Sequence, residues 1–126
     1  MTKVIIGKDC SNSPKNQFLQ KLSVAFTEVD ADYLLDIIAE EIRWNIIGEK
    51  IIQGKADFTE ALVQLKKCEV EELTILHALS HGKVGSVHGT KKKNYGELIA
   101  YCDVYEFTGA KFSKLNEITS FVVQSK

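Results

Sequence analysis

An aspartate stands in the middle of AYCDVYEF, residues 100–107, a run otherwise apolar or aromatic almost throughout. An acid in such surroundings must be hydrogen-bonded or neutral, because an unpaired buried carboxylate is very costly. Two uses are open to Asp103. It is either a structural acid accepting bonds from tyrosine hydroxyls and nearby backbone, or a polar anchor at the floor of an apolar pocket, as small-molecule sites are usually built. Strand alternation puts Ile99, Tyr101, Asp103, Tyr105 and Phe107 on one face, and Leu98, Ala100, Cys102, Val104 and Glu106 on the other. Both faces are mainly apolar, so both are expected to be covered. Helices can cover one, and a second copy of the chain is the simplest cover for the other, which predicts a homodimer.

His88, in KVGSVHGT, is the next candidate. Sharing a strand face with Val84, Ser86 and Thr90, it would line the same cavity, where an imidazole can act as acid or base near neutral pH. A satisfied structural histidine is the competing reading. His77, inside an apolar strand, reads as structural, and His81, in a turn before Gly82, as solvent-exposed. Trp44 and Tyr101 read as pocket wall or core. Glu117, in the last strand, is a candidate for the inward face, with its register open. Three scattered histidines without a close carboxylate make a weak metal site, so no metal is expected. The G-x-x-x-x-G-K-S/T and G-x-G-x-x-G patterns are absent, and no nucleotide or other cofactor is expected. Lys91-Lys92-Lys93 reads as the solvated tip of a hairpin.

The elements that must position these residues follow from periodicity and caps. Ser13-Pro14 marks a helix start, with a capping hydroxyl and a proline at the first helical position. Phe18, Leu22, Phe26 and Val29 then form one apolar stripe. Asp30 can cap a second helix, with Leu34, Leu35, Ile37 and Ile38 on its buried face. A third helix is read from about Ala56 to Lys67, with acids early and lysines late, as the helix dipole favours. Between the second and third, IRWNIIGEKIIQG reads as a strand and a short return. After residue 70, ELTILHALS, KVGSVHGT, ELIAYCDVYEF and KFSKLNEITSFVVQ are four strand-like runs joined by short glycine-bearing links, which implies antiparallel hairpins. Three helices followed by a meander make an α+β arrangement, in which the curved sheet is the large partner for the helical stripes.

One domain spanning residues 1–126 is expected, since the length suits a single core and no linker or repeat interrupts it. Sixteen basic and seventeen acidic residues leave a formal charge of −1, which gives no global electrostatic reason to bind nucleic acid or an anionic membrane. The opening apolar run of three residues is too short for a signal-peptide core, and no stretch approaches a membrane span. Cys10, Cys68 and Cys102 are odd in number and far apart, so neither a disulfide framework nor a zinc site is expected, and a reducing cytoplasm fits. Cys102 reads as a buried inert thiol.

From about Phe18 to Val123 the chain resembles the nuclear-transport-factor-2-like superfamily, in the branch of SnoaL-like polyketide cyclases and ketosteroid isomerases. The resemblance is carried by Asp103-Val104-Tyr105-Glu106-Phe107 followed by Gly109, Lys111 and Phe112, and by Trp44 with Gly48 and Gly54. It implies a sheet that curls around the helices into a cone whose hollow is the pocket, with Asp103 facing it. In ketosteroid isomerase the matching acid stays protonated and donates a hydrogen bond to an oxyanion. The rest of that machinery has no counterpart. The proton-shuttling carboxylate would fall near Trp44, Asn45 or Ile46, and the first-helix tyrosine near Leu22.

The leading expectation is a protein that binds a small apolar or amphipathic molecule, with Trp44, Tyr101, Asp103, Tyr105, His88 and Glu117 as candidate contacts. An isomerase, cyclase or epoxide-hydrolase-type enzyme, with Asp103 and His88 as acid and base, is the alternative. A protein-interaction adaptor is the third.

Overall fold

The computed structural model describes residues 2–7, 13–109 and 111–125, and Cys10 lies outside them. The chain runs β1 (Lys3–Ile6), α1 (Pro14–Glu28), α2 (Ala31–Ile37), β2 (Ile38–Ile46), β3 (Lys50–Gln53), α3 (Lys55–Leu65), β4 (Val70–His81), β5 (Val84–Lys93), β6 (Leu98–Phe107) and β7 (Leu115–Ser125). Three helices pack on one mixed sheet of order β1-β4-β5-β6-β7-β2-β3. The α+β class and the antiparallel β4–β7 meander agree with the sequence reading.

Local signals set the helix starts. Ser13 caps α1, its hydroxyl accepting the Asn16 N–H at 3.1 Å, with Pro14 at the first position. Asp30 caps α2 through the Tyr33 N–H. Between them Val29 takes a left-handed φ of 53°, closing α1 with backbone bonds to Phe26 and Ala25. The α1 stripe is buried at Leu22, Phe26 and Val29, and α1 lies over β4 and β5 while α3 covers β2 and β3.

Three features depart from the sequence reading. The opening apolar run forms β1, paired in parallel with β4 from Lys3 opposite Glu72 to Ile6 opposite Ile75. Ile38 begins β2 rather than ending α2, although it is buried as expected. The β5 strand continues through Lys93, so the lysine run belongs to the ladder and the turn begins at Asn94.

Candidate functional site

Opposed residues in an antiparallel pair point to the same side of the sheet. Val87 lies opposite Asp103, Gly89 opposite Tyr101 and Lys91 opposite Ile99. The side of the sheet that faces the helices therefore presents Val87, Gly89 and Lys91 from β5. From β6 it presents Tyr101, Asp103, Tyr105 and Phe107. Gly89 is required there, since a Cβ at this position would collide with the Thr74 carbonyl oxygen of β4.

Between sheet and helices lies a cavity of about 330 Å³. Its apolar wall is Phe26 of α1, Trp44 and Ile46 of β2, Ile52 of β3, Ala61 and Leu65 of α3, and Ile99, Ile118 and Val122 of the meander. Its polar groups are Asp103, Tyr101, Tyr105, Ser120 and Lys91, with Glu49, Lys50, Gln64, Cys68 and Lys93 also on the lining. The aromatic part is a connected cluster, with the Phe26 ring 5.4 Å from Trp44, 6.0 Å from Phe58 and 6.3 Å from Tyr105.

Hydrogen bonds link the polar groups across elements. The Trp44 indole N–H donates to Ser120 Oγ at 2.9 Å, and Ser120 in turn bonds Asp103. The Tyr105 hydroxyl donates to Asp103 Oδ2 at 3.3 Å. Tyr101 OH and Ser23 Oγ of α1 share a bond of 2.9 Å. Asp103 is half-buried, enclosed by protein and reached by solvent from the cavity. Burial pushes its carboxyl above the usual range, and the Lys91 charge and the bonds from Ser120 and Tyr105 offset part of that rise. The Tyr105 hydroxyl is pushed well above its ordinary value, first by burial and then by the Asp103 charge. Lys91, with its Nζ 4.7 Å over the Tyr101 ring, is lowered by burial, with Asp103 opposing the shift and Lys93 adding to it.

Of the residues singled out from sequence, Trp44, Tyr101, Asp103 and Tyr105 come together around this cavity. His88 does not join them. It lies opposite Cys102, on the far side of the sheet, where its Nε2 sits 2.8 Å from His77 Nδ1 and the two rings stack. Alternation along β5 was sound, but the face was fixed by its register with β6. Glu117 also points away from the cavity, opposite Glu106. A bulge causes this. Phe107 pairs with Leu115 but Glu106 with Glu117, so Asn116 is the extra residue and the alternation of β7 flips there.

Sequence reasoning missed Lys91 and Ser120. Lys91 carried a usable signal. Tyr95 is the midpoint of the β5–β6 hairpin, and counting outward from it sets Lys91 opposite Ile99 and Asp103 opposite Val87. Ser120 carried none, because its face depends on the bulge.

The sequence matches no family model and no curated protein. Solved structures do resemble it. A protein of unknown function from Cytophaga hutchinsonii, described as NTF2-like, is 23% identical over 85% of this chain and 97% of its own, with a TM-score of 0.64. A candidate SnoaL-like polyketide cyclase from Shewanella putrefaciens is 13% identical over 88% and 91%, with a TM-score of 0.73. An LEH-like epoxide hydrolase from M. tuberculosis is 14% identical over 85% and 80%, with a TM-score of 0.69. At these identities the likeness concerns the backbone, and on it this chain has the nuclear-transport-factor-2-like fold.

Proposed function

We propose that this protein binds a small, largely apolar molecule in the cavity, with Asp103 as the polar anchor. One observation carries the reading: the cavity is within the size range of small-molecule sites, apolar on most of its wall, and has one enclosed acid on its lining. Trp44 reports on it, being the single indole of the chain and part of the cavity wall. Titration with a neutral apolar probe such as naphthol should shift Trp44 emission and protect it from iodide. Iodide quenching as strong as that of free tryptophan, unchanged by the probe, would refute the proposal. With Asp103 accepting from the naphthol hydroxyl, Asp103→Asn should weaken this neutral ligand.

The enzyme reading is favoured by a separate observation. Acid–base chemistry needs a second titratable group within reach of the ligand, and Lys91 supplies one beside Asp103 on the same lining. His88 has no part in that version. A cyclase or epoxide-opening reaction, as named for two of the similar structures, is the class to assay.

We also propose that the outer sheet face, with Leu98, Ala100, Cys102 and Val104, pairs with a second copy. The adjoining Phe121 and Val123 of β7 are 44% and 66% exposed, so this apolar surface is continuous across two strands.

A further inference from the structure

Around Lys91 the polar groups on the sheet side of the cavity already have partners within the protein. Asp103 already takes the Tyr105 and Ser120 hydroxyls, Ser120 takes the Trp44 indole, and Tyr101 is joined to Ser23. The Lys91 ammonium can donate three bonds, yet among the described residues its contact is the face of the Tyr101 ring. The direct ion pair among the described residues lies elsewhere, between Lys55 Nζ and Glu40 Oε1 at 3.9 Å. Asp103 therefore acts on Lys91 through space and does not neutralise it by contact. Lys93, two residues along the same face, and Lys50, from β3, add positive charge to the lining, against the acids Glu49 and Asp103. Lys91 is half-buried and lines the cavity, so a ligand oxygen that carries negative charge can bond its ammonium in place of solvent.

We propose that the ligand is an amphipathic monocarboxylate whose carboxylate bonds the Lys91 ammonium while its apolar chain lies against Trp44, Ile52 and Ile118. This assignment rests on the cavity reading above and adds the head group. It also reverses the expected part of Asp103. Toward a neutral hydroxylic ligand Asp103 is an acceptor, but toward a carboxylate it is a like charge.

The test compares decanoate, below its micellar concentration, with decyl alcohol of the same chain length, both read by Trp44 fluorescence and calorimetry. Lys91→Met should weaken decanoate about tenfold, the scale of one charged hydrogen bond, and leave decyl alcohol within about twofold. Asp103→Asn should tighten decanoate and weaken the alcohol. If Lys91→Met does not fold, Lys91→Gln carries the same expectation. Equal losses for both ligands, or decanoate binding indifferent to the variant, would overturn the carboxylate assignment and leave the cavity reading standing. If neither ligand enters the wild-type protein, both fall.

Discussion

Strand β6 has two faces of similar apolar composition and very different surroundings. On the side facing the helices, Tyr101, Tyr105 and Phe107 are buried, and the polar atoms of Tyr101, Asp103 and Tyr105 are tied to α1, β7 or each other. On the other side, Leu98 is exposed and Ala100, Cys102, Val104 and Glu106 are half-buried. There the neighbouring polar contact is the His77–His88 pair, which joins only two adjacent strands. Polar groups positioned by several elements at once are the ones that can hold a ligand in a defined place. A pair held by two adjacent strands on an exposed face defines no volume. Even the Cys102 thiol, pushed up by burial and by Asp103 behind it, is poorly suited to act as a nucleophile.

Substitution on the two faces should separate them most. Tyr105→Ala removes a fully buried ring and is expected to cost about 3–5 kcal/mol in denaturant melts, against under about 1 kcal/mol for Val104→Ala on the monomer. Equal costs would end the distinction. Gly89→Ala should come next, losing roughly 2–3 kcal/mol, because the new methyl must displace backbone of β4. For the outer face the effect is on assembly. Sedimentation should give about twice the 14.1 kDa chain mass, and Phe121→Glu should return it to the monomer with the cavity intact. A wild-type monomer at micromolar concentration would leave that face with no assigned partner.

The smallest effect concerns Asp103 and pH. Burial raises its folded-state pKa above the unfolded value, so the fold favours the protonated form. That contribution is complete below the unfolded pKa, near 3.8, and is lost as pH rises through the folded pKa. Asp103→Asn stays neutral, so its stability relative to wild type should rise as pH climbs from the unfolded pKa through the folded one. A loss that is larger at pH 8 would make Asp103 an ionised structural acceptor and weaken its claim as a ligand anchor.

Much of the architecture was legible because its signals are local. Ser13-Pro14, Asp30 and the alternation of residues 98–107 each depend on a few adjacent residues, and each has its expected form. The candidate site was legible where one strand's alternation was enough, at Tyr101, Asp103 and Tyr105. It was misread where a second strand's register decides, as at His88, and stayed open where a bulge flips the pattern, as at Glu117. Lys91 was hidden for another reason. Three consecutive lysines look solvated, yet in a strand the middle one, Lys92, is exposed while Lys91 and Lys93 turn to the lining.

The parallel pairing of β2 with β7 bears on the order in which the chain can assemble. Trp44 lies opposite Ile118 and Asn45 opposite Thr119, so among the described residues β2 and β3 join the main sheet through the last strand. Hairpins of the β4–β7 meander close over short separations, whereas this pairing must close a far longer loop, and long-range pairings are slow to form. The meander is therefore expected to be in place before the cavity exists, because one wall, with Trp44, arrives with the late docking of β2. The Trp44 bond to Ser120 forms at that step, which makes the indole a clock for the end of folding and leaves partly folded chains without a site to fill.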